Sequence, residues 1–227
     1  MEKTNALYVV ATPIGNLDDI TYRAVSILKT VDVVFSEDTR QTKKLFDRYQ
    51  ITTPLKSYRD QNHDRALQEI IGLLEVGKTL ALVSDSGTPL ISDPGYKLVR
   101  AIIDAKYLVV PIPGPSAAIA GLSGSGLPTD KFTFLGFLPK SRGKRTEILK
   151  EFGKSDATLV IYESPYRVVK LMEEIIATLG DREVCLACEI TKLFEKFDRG
   201  RASDLLTRLA SQKIRGEYTV LISKMLA

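Results

Sequence analysis

The chain has 227 residues, 44% of them hydrophobic, and carries 32 Lys and Arg against 28 Asp and Glu, a formal net charge of +4. That length buries one large core or two of about 100–120 residues each, and the mild positive charge permits an anionic partner without requiring one. No run of about 18 apolar residues occurs, and the N-terminal MEKTNALYVVATP has no secretory apolar core, so a cytoplasmic chain with no membrane segment is expected.

In chain order, the apolar β-branched runs LYVVA, VDVVFS, TLALVS and LVVPI, at 7–11, 31–36, 79–84 and 108–112, read as strands. Between them Leu67, Ile70, Ile71 and Leu74 follow one helical stripe, and Leu98, Val99, Ile102 and Ile103 another. Strand and helix alternate, which predicts βα units on a mostly parallel sheet. Pro and Gly then concentrate in PIPGPSAAIAGLSGSGLPTD, where helical periodicity is brief, so a domain join belongs near 114–128 and the expected domains span 1–118 and 119–227. Beyond it FTFLGF, ATLVIYE, EVCLACEI, KLFEKFDRG and YTVLIS read as strands, with helices over 143–152, 165–179 and 202–212. So many strands in a short stretch predict a second, mixed sheet; the fold class is α/β in two domains.

Ligands of open α/β sheets bind at the carboxyl ends of strands. Here the four segments after the first-half strands are Thr12-Pro13-Ile14-Gly15-Asn16, Ser36-Glu37-Asp38-Thr39-Arg40, the long Asp85-Ser86-Gly87-Thr88-Pro89-Leu90-Ile91-Ser92-Asp93-Pro94-Gly95, and Pro113-Gly114-Pro115-Ser116-Ala117. Any one of them also suits a plain tight turn. Four at one sheet edge, with glycine admitting a ligand to the backbone and short polar side chains beside it, point to a pocket.

Other motifs are set aside on context. Gly72 to Thr79 spells GxxxxGK[ST] in full, but it ends a helix and leads into a strand, whereas a phosphate loop follows a strand and opens a helix. Gly121, Gly124 and Gly126 have the reverse of the dinucleotide spacing and follow no strand. Cys185 and Cys188 fall on opposite faces of a strand, with no second Cys pair and one histidine, His63, far away, so neither a metal centre nor a disulfide is expected. His63, in the polar stretch before a helix, reads as a solvated or capping residue and not as a triad member.

Taken together, VATPIGNLDDITYRA, SEDTR, SDSGTPLISDPG, PIPGPSAA, GFLP and YESPYR resemble, in that order and over nearly the whole chain, the ribosomal RNA small subunit methyltransferase I family of the tetrapyrrole (class III) methylase superfamily. The resemblance implies a homodimer of two-domain α/β chains, S-adenosylmethionine held in the cleft between domains, and 2′-O-methylation of a cytidine, cytidine 1402, in the decoding region of 16S rRNA. It also implies cofactor contacts from Pro13, Gly15, Asp85, Gly87, Thr88, Pro89, Ile91, Ser92, Asp93, Pro115, Ser116 and Ala117, with Tyr162 and Glu163 from the second domain. Gly87-Thr88-Pro89 stands where the superfamily has Gly-Asp-Pro, which separates this chain from typical cobalamin-pathway enzymes and argues against the alternative of a small tetrapyrrole substrate. A non-catalytic RNA-binding relative is the other alternative.

Methyl transfer from a sulfonium needs in-line positioning above all, and no metal. A ribose hydroxyl is a poor nucleophile, so a base or a cation near the developing alkoxide adds to the rate. The candidates are Glu37 and Asp38 at a strand end, with Arg40 as phosphate partner, and Glu189, Lys192 and Glu163 from the second domain; each acid also suits a cap or an ion pair. For the partner, naked 16S rRNA or the small ribosomal subunit, Lys140, Arg142, Lys144 and Arg145 cluster after GFLP with Lys150 beyond them and Arg167 after YESP, a set able to neutralise phosphates.

Overall fold

A computed structural model describes residues 5–224 and divides the chain into two compact units, Met1–Ser116 and Ala117–Ala227. In the first unit β1 (Ala6–Val10), α1 (Tyr22–Thr30), β2 (Val33–Ser36), α2 (Thr39–Tyr49), β3 (Leu55–Ser57), α3 (His63–Glu75), β4 (Leu80–Val83), α4 (Tyr96–Asp104) and β5 (Leu108–Ile112) alternate. The five strands form one sheet in the order β3-β2-β4-β1-β5, and every pairing is parallel.

A parallel sheet covered on both sides must be apolar on both faces. Successive residues supply the two faces: Val33 and Phe35 of β2, with Leu80 and Leu82 of β4, pack against Ile70 and Leu74 of α3 and Leu98 and Ile102 of α4. Val34, Ala81 and Val83 meet Ala24 and Leu28 of α1 and Leu45 and Phe46 of α2 on the other. The result is three layers, with every strand's carboxyl end at one edge.

The second unit runs α5 (Ala117–Ser125), β6 (Phe132–Phe137), α6 (Arg142–Phe152), β7 (Thr158–Glu163), α7 (Val168–Leu179), β8 (Glu183–Cys188), β9 (Lys196–Arg201), α8 (Ala202–Ala210) and β10 (Tyr218–Ile222). Its sheet, β6-β7-β10-β8-β9, is mixed as expected: β6 and β7 are parallel and the remaining pairs antiparallel. One face carries Leu159, Ile161, Val184, Leu186, Val220 and Ile222 against the apolar sides of α6, α7 and α8.

Several expectations need correction. The chain divides between Ser116 and Ala117, within the Pro/Gly-rich stretch, but the residues that follow form the unexpected nine-residue helix α5, whose small residues hide its periodicity. A Cβ on Gly124 would stand 2.7 Å from the Phe197 ring, so this glycine lets the helix lie close against β9. The strand expected over KLFEKFDRG begins only at Lys196, because Thr191–Glu195 forms a turn, with the Thr191 amide donating to the Glu195 carboxylate. Helices α1 and α2 and the short edge strand β3 had no counterpart in the reading; α2 is so polar that only Thr42, Leu45 and Phe46 are buried. No helix among the described residues is long and apolar enough to cross a membrane.

Candidate active site

The four segments expected to share an edge do share it, and they are bonded to one another through the loop after β4. Gly87 of that loop exchanges two backbone hydrogen bonds with Thr12, the first residue of the segment after β1, at 2.9 and 3.0 Å. The Asp85 carboxylate accepts the Asp38 amide of the β2 segment at 2.8 Å. The Thr88 hydroxyl donates to the Pro115 carbonyl of the β5 segment at 3.2 Å. The segments that carry Pro13 and Gly15, Gly87 to Pro89, and Pro115 are therefore joined, and the chain passes through Ser116 and Ala117 directly into α5.

Gly87 has a left-handed backbone, φ +76°, and a Cβ there would stand 3.4 Å from the Ile14 side chain. The same loop holds two residues that are not glycine in that conformation, Leu90 at φ 74° and Ser92 at φ 66°. Each costs on the order of 1–3 kcal/mol, and such conformations persist where surrounding structure enforces them, commonly at ligand sites. Ile91 between them, and Ser92 itself, are exposed. This local strain carries no sequence signature, since neither Leu nor Ser announces a positive φ.

Electrostatically the edge is acidic. Burial raises the Glu37 carboxyl above its ordinary range, and the nearby charges of Asp85 and Asp93 raise it further against the opposing Arg59. Asp93 is likewise pushed up, by burial first and then by Asp85, with the Ser84 hydroxyl opposing. Asp38 behaves oppositely: the hydrogen bonds from the Arg40 side chain and amide hold it well below the usual carboxylate range. Arg40 is thereby engaged with Asp38, at 2.6 Å, although its own side chain is largely exposed.

In the second unit the Tyr162 hydroxyl accepts the Ala118 amide at 3.0 Å and so fixes the start of α5, while Phe134 and Phe137 meet the Tyr162 ring edge-on. Glu163 is buried, its Oε1 taken by Arg167 Nε and the Ser164 amide, both at 2.7 Å, and its Oε2 unpartnered. Glu189, at φ 52°, accepts from Lys192 Nζ at 2.9 Å, and the same ammonium reaches Glu217 at 2.9 Å. This triad closes on itself, so Lys192 is neutralised where it stands.

Of the basic residues expected to meet phosphate, Lys140, Arg142 and Lys144 are exposed and ion-paired with no acid among the described residues. Arg145, expected among them, is the exception: its side chain is 9% exposed and bound to Glu174, so it is part of the interior and cannot reach a partner. Its remaining nitrogen donates to the carbonyls of Pro139 and Lys140 at 3.1 and 2.6 Å. Sequence spacing did not separate it from its neighbours because α6 turns every third or fourth residue inward.

The phosphate-loop spelling falls where context put it. Gly72 lies within α3, Gly77 ends it, and Lys78 pairs with Asp32 at 3.1 Å before β4 begins. His63 opens α3 with its Nδ1 3.0 Å from the hydroxyl of the buried Tyr58, a hydroxyl that burial pushes up to about 12. It is thus a partner of the core and not a solvated cap. Cys185 and Cys188 are free thiols, the former buried and pushed up to about 11 by that burial.

With that geometry in hand, residues 6–206 match the family model described as Tetrapyrrole (Corrin/Porphyrin) Methylases. Ribosomal RNA small subunit methyltransferase I of Thermotoga maritima is 43% identical over 217 residues, covering 96% of this chain and 97% of the relative. Its namesake of Micromonospora olivasterospora is 44% identical over 221 residues, covering 97% of this chain and 71% of the relative. The chain belongs to the ribosomal RNA small subunit methyltransferase I family. The fold of the wider superfamily is evident in solved structures: diphthine synthase, at 14% identity, superposes with a TM-score of 0.76 over 98% of this chain and 91% of that one. A uroporphyrin-III C-methyl transferase from Thermus thermophilus, solved with S-adenyl homocysteine, gives a TM-score of 0.65 at 18% identity over 96% and 97%.

Proposed function

We propose that this chain methylates the ribose 2′-oxygen of a cytidine in the decoding region of small-subunit rRNA, acting as a homodimer. Family membership makes it an S-adenosylmethionine-dependent rRNA methyltransferase, and the observation that carries this is identity above 40% to named relatives over nearly the whole chain. The nucleotide, the ribose position, the dimer and the site residues are this proposal's own.

In this reading Pro13, Gly15, Asp85, Gly87, Thr88, Pro89, Ile91, Ser92, Asp93, Pro115, Ser116 and Ala117 hold the cofactor, with Tyr162 and Glu163 contributing from the second unit. The residues present suit it. A sulfonium ligand with an ammonium group is cationic, and burial together with the nearby Asp85 charge leaves Glu37 and Asp93 short of countercharge. Gly87 presents bare backbone beside them. The cofactor supplies a methyl group on a positively charged sulfur.

Glu37 is then the best placed of the candidate bases: its raised affinity for a proton matches the task of taking one from the ribose hydroxyl as that oxygen attacks. Glu189 and Lys192, which neutralise each other, hold a turn in shape, and Arg40 keeps Asp38 ionised. Lys140, Arg142 and Lys144 neutralise rRNA phosphates.

Radiolabelled S-adenosylmethionine incubated with naked 16S rRNA and, separately, with small subunits from a strain lacking the enzyme tests this. Label mapped to one cytidine ribose is expected; cofactor binding without label in either substrate overturns the RNA reading and favours a small tetrapyrrole acceptor.

A further inference from the structure

The turn after β6 is held from beneath by two inward-facing arginines. Arg167 Nη2 donates to the Leu138 carbonyl at 3.3 Å, and Arg145 Nη1 donates to the next two, Pro139 and Lys140. Each guanidinium is anchored by a buried acid, Glu163 or Glu174. Three consecutive carbonyls are thus fixed, and Arg167, which belongs to the turn after β7, ties that turn to the turn after β6.

Two aromatic side chains stand on these joined turns. Phe137, the last residue of β6, is 59% exposed although one edge packs on Tyr162, and Tyr166, in the turn after β7, is 92% exposed. Neither position serves the core. Both turns also border the exposed cations Lys140, Arg142 and Lys144, and the first turn of α6 contains no acid to offset them. Aromatic faces beside unpaired cations on a rigid support match what a single nucleic-acid strand requires: phosphates neutralised along the backbone and bases stacked on π surfaces.

From this juxtaposition we infer that Phe137 and Tyr166 are stacking platforms for unpaired rRNA bases, with Lys140, Arg142 and Lys144 tracking the phosphates between them. The inference rests on the RNA reading above and adds what that reading lacks, a preference for an unpaired strand over a regular helix. In an RNA duplex the bases are stacked on one another and offer no free face, so the platforms contribute only where the strand is open.

The test compares binding of a single-stranded decoding-region oligonucleotide and its fully paired duplex by the full-length protein, with 2-aminopurine at successive positions to report stacking. Tyr166→Ala is expected to weaken single-strand binding about 5- to 150-fold, while Tyr166→Phe stays near wild type. Phe137→Leu, which keeps the packing on Tyr162, is expected to act in the same direction. Duplex affinity, S-adenosylmethionine affinity and the slope of log affinity against log salt are expected to be unchanged, because phosphate contacts set that slope. Lys140→Ala should instead lower the slope by about 0.7 for a single strand. Methyl transfer to rRNA with single-strand binding unmoved by Tyr166→Ala and Phe137→Leu overturns the stacking inference and leaves the function standing. Absence of RNA binding and RNA methylation in the wild-type protein overturns both.

Discussion

The guanidinium of Arg145 and the carboxylate of Glu174 meet through two hydrogen bonds, Nε to Oε2 at 2.7 Å and Nη2 to Oε1 at 2.6 Å, with both side chains more than nine-tenths buried. Removing one partner strands the other charge in the interior, which typically costs about 3–5 kcal/mol. Arg145→Ala and Glu174→Ala are each expected to lower the urea midpoint of unfolding accordingly, and Arg145→Met combined with Glu174→Leu to recover most of the loss. Lys144→Ala, one residue away, should shift stability by no more than about 0.5 kcal/mol. An Arg145→Ala protein as stable as wild type would show that the pair contributes nothing to the fold.

Gly87 offers a second measurement. Valine there meets Ile14 and must adopt φ +76°, a left-handed conformation that costs about 1–2 kcal/mol for a residue with a Cβ. Gly87→Val is therefore expected to abolish cofactor binding in calorimetry, with a stability loss too small to unfold the protein. Unchanged affinity for S-adenosylmethionine in a folded variant would remove Gly87 from the site.

Glu37 links activity to pH. Its carboxyl ionises above the ordinary 4.5, so the acid limb of the transfer rate should lie above that value, and Glu37→Gln should lose the limb together with about 10²- to 10⁴-fold in rate. Stability moves the other way. A carboxyl raised in the folded state opposes folding once it is ionised, so the glutamine variant should unfold at a higher temperature at neutral pH. That gain should be full above the raised value and vanish as pH falls below 4.5, where folded and unfolded chains are both protonated. A rate profile identical to wild type would dismiss Glu37 as the base.

Lys78, the lysine of the phosphate-loop spelling, sits in a half-exposed ion pair with Asp32. Lys78→Ala should leave methyl transfer unchanged and cost no more than about 1 kcal/mol of stability. Loss of transfer, or nucleotide binding sensitive to this change, would revive the motif.

Sequence patterning exposed the parallel sheet because its strands are apolar on both faces: VVF within VDVVFS and LALV within TLALVS have no polar residue to mistake for an edge. It missed β3, with its exposed Lys56 and Ser57, for the converse reason. The loops of the candidate site were legible as Gly, Pro and Asp clusters, yet their interconnection was not, since Thr12 and Gly87 lie 75 positions apart and bond through backbone alone. Charge was the least legible property. Arg145 and Lys144 are adjacent and alike in type, and only the helix phase separates an interior strut from a surface cation.

The loop after β4 bonds to the segments after β1, β2 and β5, so the four do not behave as separate fingers. Their lengths are set jointly. A residue inserted into SEDTR would displace the Asp38 amide from Asp85 and disturb the loop that Thr12 and Pro115 also depend on. At the opposite edge of the same sheet the turn through Gly77 and Lys78 is tied across to one neighbouring turn and not to three, through Asp32, which takes Lys78 Nζ and the Thr79 amide and hydroxyl. Variation in loop length among relatives should therefore collect at the amino ends of the strands, leaving the carboxyl edge fixed in length even where its side chains differ.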